Sequence, residues 1–460
     1  MHTRLLSPFV FPVLCSAALA QWHQAATVSP PPRTFPALGV HLGTGQVVMF
    51  GGMRTAAPLG SFAETWTWDG SGWTQQFPAN APSARSGAVL VYDLARNVTV
   101  LYGGQNPSPI GGLSLSDTWE WDGTNWTQIA TAHNAGARGR YMAAYDVARG
   151  RTVLYGGMAN SMLVGALNGT WEYTGVDWTQ VTTAASPGPL QDAAMCYDLA
   201  RQRTVMFGGS NQNTGVTDTT WRYDGVNWTQ VAVSGPRPPG RWQAQMVFDT
   251  MRNVCVMHGG ADNNGVPFDD TWAFDGTRWT QLHGAATPPQ RAFGFAFDPL
   301  RAVGVVFGGT NSSVIPDTFV YDGALVTPFG SGCPGSSGVP QLAATAGPRL
   351  GLPFQVTLTN LLPSMPVAAV ATGFSATSYN GVPLPADASP LGITGCTLYV
   401  ALDMIDLPSA ASGTAVHSVT VPINTALVGV SAFMQGASLD PGVNPFGAVL
   451  SNALSMTIGW

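Results

Sequence analysis

Arginine recurs at one position of this chain with a fixed offset. Arg33, Arg85, Arg138 and Arg241 each stand eighteen residues ahead of a Gly-Gly pair, Arg291 is displaced by one, and Leu190 takes the remaining place. A guanidinium is a planar fork that suits bidentate pairing with carboxylates. A circle of such groups could grip an acidic or polar ligand, or be consumed by the protein's own carboxylates and carbonyls. Regular recurrence favours internal pairing, because binding sites usually break symmetry. Trp242 does break it: its counterparts are Thr34, Ser86, Gly139, Gln191 and, allowing for the displacement, Ala292. A ring at that place could stack on a sugar or an extended peptide, or pack under a loop. Arg33, Arg85, Arg138, Arg241, Arg291 and Trp242 are therefore the ligand-binding candidates.

No catalytic constellation accompanies them. The histidines at 23, 41, 133, 258, 283 and 417 show no short metal-ligand spacing. His258 stands where other copies of its segment carry Phe or Tyr and reads as a variant core ring. Asp262, Asp269 and Asp270 lack a calcium-loop spacing. The expectation is no catalytic residue, no metal and no cofactor.

These candidates sit on a repeat. Gly51-Gly52, Gly103-Gly104, Gly156-Gly157, Gly208-Gly209, Gly259-Gly260 and Gly308-Gly309 are 52, 53, 52, 51 and 49 residues apart, and each follows an apolar run. A period near 50 residues marks a repeat architecture. Within the second copy, four β-like runs are visible: Ala88 to Tyr92, Val98 to Tyr102, Thr118 to Trp121, and Trp126 to Ile129. Asp93 to Arg96 forms the first turn, in which the Asp caps the backbone and the Arg pairs with it. Asp122-Gly123 forms the last hairpin. Four strands in a meander make a propeller blade. Trp119 and Trp121 share a face, and such tryptophans recur in the first five copies as core rather than as a ligand platform.

The glycine pair after an apolar strand, followed by one Trp about a dozen residues on and then a second, resembles the kelch-repeat signature. The resemblance covers about 22–329. It implies an all-β chain with a six-bladed kelch β-propeller, a fold used mostly as a binding platform. A minority of kelch proteins, similar to galactose oxidase, are copper enzymes, but the tyrosine-cysteine crosslink and paired histidines of that branch have no counterpart motif here.

In the sixth copy Val326 replaces the second Trp, which would leave a poor outer strand. Trp22-His23-Gln24 mimics the Trp-Thr-Gln of the other copies, and Trp22 precedes Arg33 by a nearly equivalent interval. Residues 22–26 are therefore expected to complete the sixth blade and latch the ring.

Arg4, the apolar run Leu5 to Ala18 and the small-x-small site Ala18-Leu19-Ala20 read as an export signal over 1–20, with the mature chain from Gln21. No later run is long enough for a membrane span. Charged residues are 10% of the chain against ~25% in ordinary soluble domains. The net charge of −6 argues against nucleic-acid binding. Cys196 and Cys255 fall in apolar strands and read as buried thiols.

At Gly330 the pattern changes. Short apolar runs separated by Pro and Gly suggest a β-sandwich-like domain over 330–460. Cys333 and Cys396 are its two cysteines, and export makes a disulfide between them the natural pairing. The segments GSGCPG, LPADASPLGITGC and LVGVSAFMQ resemble a C-terminal β-domain carried by many exported bacterial proteins, which implies an accessory, sorting or surface-attachment role. The functional expectation is an exported, monomeric, non-catalytic protein that binds an unknown protein or glycan through a propeller face. The alternatives are an extracellular carbohydrate-active or galactose-oxidase-like enzyme, or a structural component of the cell surface.

Overall fold

The computed structural model describes residues 19–25, 29–54, 60–106, 113–159, 165–211, 214–282, 290–344, 347–349, 351, 353–422, 424, 427 and 430–459. The expected signal segment up to residue 18, residue 26 of the expected latch and His283 lie outside them. Among the described residues there is no α-helix, and no helix is long and apolar enough to cross a membrane.

Five sheets are four-stranded antiparallel meanders. The first contains Ala37–His41, Gln46–Phe50, Thr65–Trp68 and Trp73–Gln76, and the second Val89–Asp93, Val98–Tyr102, Thr118–Trp121 and Trp126–Ile129. The innermost strands touch in cyclic order, with Gly294–Asp298 of the sixth sheet returning to Ala37–His41 of the first. The propeller is thus six-bladed, as the glycine pairs imply. One end of the ring carries the two hairpin turns of the first five blades and the first turn of the sixth. The other carries the glycine pairs, the loops after them and the links between blades; we term these the hairpin end and the loop end.

The Asp-to-Arg turn forms as its residues dictate. Asp93 Oδ1 accepts the amides of Ala95 and Arg96, while Arg96 Nε donates to Asp93 Oδ2 at 2.8 Å. The glycine pairs are required by space as well as by backbone angle. Gly51 has φ +67°, and a Cβ on it would lie 2.3 Å from the Arg85 carbonyl oxygen of the next blade, so no other residue fits there.

Blades are joined by a repeated side-chain bond. The outer-strand tryptophan of each blade donates its indole N–H to the first threonine of the preceding blade's third strand: Trp126 to Thr65, Trp178 to Thr118, Trp228 to Thr170 and Trp279 to Thr220, at 2.9–3.0 Å. The last two members close the circle. Trp22 donates to Thr271 at 2.9 Å and Trp73 to Thr318 at 2.8 Å. Trp22 therefore occupies the sixth blade's outer-strand position, within Leu19–Gln24, which pairs antiparallel with Thr318–Phe329 through Trp22 opposite Tyr321 and Gln24 opposite Phe319. The outer-strand tryptophans are fully buried, whereas Trp66, Trp119, Trp171 and Trp221 on the third strands are only half-buried. Those four cap the blade surface and do not fill its core.

Val326 is neither a weak outer strand nor a substitute for the latch. The sixth blade's third strand does not turn at Asp322-Gly323 but runs on to Phe329, where Leu325–Phe329 pairs with Ala453–Thr457. Val326 is buried in the core of a second, sandwich-like unit with Phe354, Val356, Leu358, Met434 and Leu454. One sheet of this unit is Gln341–Ala344, Pro353–Thr359, Thr414–Thr420 and Ala410–Ala411. The other continues from Thr318–Phe329 through Ala448–Thr457, Ser431–Leu439 and Ala368–Gly373 to Met404–Asp406. Cys333 and Cys396 form a disulfide, and Cys196 and Cys255 are buried free thiols.

Candidate functional site

The recurrent arginines are buried inside the blades. Arg33, Arg85, Arg138 and Arg241 each donate Nη1 to the carbonyl of the first glycine of their own blade's pair at 2.9 Å. Arg85 and Arg241 also form two-pronged pairs with Asp117 and Asp270, and Arg33 pairs with Glu64 at 2.8 Å. Arg138 lacks such an acid and donates to the Ala135 carbonyl. Burial alone would raise the Asp117 and Asp270 carboxyls, but Arg85 and Trp119, or Arg241 and Trp272, hold them below the usual range. At the main-chain level the second glycine of every pair donates its amide, at 2.8–3.0 Å, to the carbonyl at the arginine position of the next blade. The four guanidiniums are thus consumed inside their own blades, the internal pairing that their regularity favours, while the main-chain carbonyl at this position joins the blades.

Arg291 differs because the fold keeps its register while the arginine moves. Gln290 supplies the carbonyl that accepts the Gly260 amide, so Gln290 holds the arginine position. Arg291 then bridges Thr310 as Trp242 bridges Ala261, Thr34 bridges Met53 and Gln191 bridges Ser210. The counterpart of Trp242 is consequently Arg291 and not Ala292. Both residues are half-buried at the loop end and meet one loop: Trp242 Nε1 donates to the Asp262 carbonyl at 3.2 Å, and the Arg291 guanidinium lies against Gly265.

The next position in each blade builds the mouth of the central channel. Phe35, Gly87, Arg140, Asp192, Gln243 and Ala292 all adopt left-handed backbone, with φ between 52° and 64°. Amide-to-carbonyl bonds of 2.6–3.0 Å run from Gln243 to Asp192, Arg140, Gly87, Phe35 and Ala292 in turn. The result is a backbone hoop around the axis, with five side chains of different chemistry and one glycine. Arg140 Nη2 lies 2.6 Å from Asp192 Oδ2, and its guanidinium carbon stands 5.1 Å from the Phe35 ring and 5.3 Å from the Trp242 ring. Burial raises the Asp192 carboxyl, against the pull of Arg140. Beside the hoop, Thr34 Oγ1 and Gln191 Oε1 are buried without a hydrogen-bond partner. Unpaired polar atoms of this kind are uncommon in folded proteins and mark places where a polar ligand or water would be held.

Of the six sequence candidates, then, Trp242 and Arg291 lie at the loop-end mouth, and the other four do not. Arg140, Asp192 and Phe35 were not legible as site residues, although Arg140 is two residues from Arg138. His258 is a core ring: fully buried, 4.6 Å from the Trp22 ring, with Nδ1 3.0 Å from Thr271 Oγ1. Burial lowers its pKa to about 4. Among the described residues no group of three or more His, Cys, Asp or Glu is arranged to hold a metal ion.

No protein-family model and no curated protein sequence matches the chain. Among solved structures, one titled "Structure of YjhT" is similar, at a TM-score of 0.49 and 14% identity over 65% of this chain and 96% of that one.

Proposed function

We propose that this chain is an exported, non-catalytic binding protein of kelch type, whose propeller, within 21–329, takes a protein or glycan ligand at the axial mouth of its loop end. The observation that carries this reading is the Phe35–Arg140–Trp242 stack with Asp192, set where five different side chains of the hoop converge. A half-exposed indole beside a guanidinium offers a stacking surface for a sugar ring or a flat peptide unit. Gln191, Thr34 and Arg291 add polar groups that such a ligand could engage. The unit over 330–460 is read as an accessory or attachment domain, by its resemblance to C-terminal β-domains of exported proteins.

The test is a glycan-array screen plus capture from native extracellular material, comparing the unaltered chain with Trp242→Ala and Arg291→Ala. Both substitutions lie outside the interblade bonds, so folding should survive. Selective capture that either change reduces at least tenfold supports the site. Capture that survives both would remove this mouth from consideration.

A further inference from the structure

The opposite, hairpin end of the axis is built from different chemistry. A cavity of about 400 Å³ opens there, lined at every level by the innermost strands, from Leu38, Ala143 and Phe295 out to the turn residues. That volume falls within the range of pockets that hold small molecules. The five residues of a strand such as Ala37–His41, at about 3.3 Å each, give the shaft a depth of roughly 16 Å. None of its lining residues carries a charge. The hoop and the Arg140–Asp192 pair stand across the far end, so the shaft is open at the hairpin end and restricted at the other.

Its rim is the informative part. The residue after the first position of each innermost turn is Leu42, Leu94, Val147, Leu199, Thr250 or Pro299, and all six line the opening. Leu94, Val147 and Leu199 are 49%, 37% and 45% exposed. Turn geometry at this position asks nothing apolar, since the Asp-to-Arg bonds are made by its neighbours. Folding therefore does not explain a collar in which five of six residues are aliphatic or proline. Large apolar side chains left in water around an apolar opening are the usual mark of a binding site. The same turns also carry Arg96, Arg149, Arg201, Arg252 and Arg301, but each is already ion-paired with the aspartate of its own turn. These five arginines are thus not free to take an acidic head group.

We propose that this shaft is a binding site for a neutral, aliphatic small molecule, inserted along the propeller axis with its polar end at the rim. It opens at the opposite end of the axis from the loop-end mouth, with which it shares inner wall residues such as Leu38, Ala143 and Phe295, and does not depend on the function proposed for that end. Recognition would come from apolar burial, at about 0.8 kcal/mol per buried CH₂ group before the costs of association. Ala143, half-buried on the shaft wall, is the place where added bulk would block insertion.

The experiment is calorimetric titration of the purified full-length chain with decan-1-ol and with decanoate, at two temperatures. Expected are saturable one-to-one binding of the alcohol with a negative heat-capacity change, weaker binding of the carboxylate, and at least tenfold loss in Ala143→Phe. A second variant, Leu94→Ser/Leu199→Ser, alters only exposed rim positions and should weaken binding severalfold without changing the unfolding transition. It keeps the test valid if the Phe substitution disturbs folding. Absence of saturable alcohol binding, tighter binding of decanoate, or affinity unchanged in the rim variant would each overturn the proposal. So would binding to phosphatidylcholine vesicles without binding of free alcohol, which would reassign this end to membrane contact.

Discussion

Removing the Trp22 ring should destabilise the propeller as much as removing an internal copy of the same tryptophan. Trp22 is 2% exposed and packs on His258, Phe295 and Tyr321 with ring centroids 4.6–5.8 Å apart. Its indole N–H bonds Thr271 of the fifth blade, while its strand pairs with the third strand of the sixth. Truncating a buried Trp to Ala costs about 3–5 kcal/mol. The Thr271 bond is about 1 kcal/mol of that, so Trp22→Phe, which keeps a ring, should lose much less. Urea unfolding followed by circular dichroism would compare Trp22→Ala with Trp126→Ala, the matching residue of the second blade. Amide exchange at 318–321 would show whether the sixth blade frays first. If Trp22→Ala costs less than about 1 kcal/mol while Trp126→Ala costs more than about 3, the N-terminal strand is not the latch. Cleavage after Ala20, as the sequence suggests, would leave Trp22, His23 and Gln24 in place to serve it.

Three further outcomes follow from individual residues. Arg85→Ala leaves the Asp117 carboxylate without its two-pronged partner and should cost roughly 3 kcal/mol by urea unfolding, as breaking a buried pair does. Trp242→Ala, half-exposed, should cost far less; equal costs would contradict the assignment of Arg85 to the scaffold and of Trp242 to a position the scaffold does not need. His258 has a folded pKa of about 4 against 6.5 when unfolded, so the unfolded chain takes up the proton first and stability falls as pH drops from 6.5 towards 4. At pH 5 the loss is about 2 kcal/mol relative to neutral pH. His258→Phe, matching Phe207 in the neighbouring blade, should flatten that acid limb, and an unchanged pH profile would show that other groups dominate it. Replacing Cys333 and Cys396 together with Ala opens a loop with a sequence separation of 63 residues. In the chain-entropy model this lowers the stability of the second unit by about 4 kcal/mol, which thermal scans with and without reductant would measure.

The scaffold was legible because its repeats state physical requirements. Gly51 must be glycine to pass the Arg85 carbonyl, and Trp126 must be an indole to reach Thr65, so the same letters return in each copy. Trp22 was legible for the same reason, by its place in the count. The hoop was not. Phe, Gly, Arg, Asp, Gln and Ala share no side-chain property, and what unites them is a left-handed backbone seen only once the strands are placed. Arg291 misled because one residue separates it from the arginine position, and register there is kept by the Gln290 carbonyl, which no side-chain pattern records. The apolar rim was visible as letters but was absorbed into the Asp-to-Arg turn that explains its neighbours.

This contrast bears on where a propeller can afford function. A side chain that joins the neighbouring blade, as Trp126 does, or that ties its own blade together, as Arg85 does, meets the same demand in most copies, and change there weakens the scaffold. The bonds that recur from one hoop position to the next are main-chain amides and carbonyls, so the fold does not dictate their side chains. It even favours glycine, because an L-residue in left-handed backbone carries a penalty of roughly 1 kcal/mol or more. Only Gly87 takes that cheaper option, while Phe35, Arg140, Asp192, Gln243 and Ala292 keep side chains at φ near +55°. Packing requirements elsewhere in the blades do not call for an arginine–aspartate pair held under two aromatic rings at the axis. Backbone strain retained together with a buried ion pair is the kind of local cost that binding sites accumulate. On the function proposed above, Arg140 and Asp192 would serve a ligand at the loop end, whereas Arg33, Arg85, Arg138 and Arg241 are tied up within the scaffold.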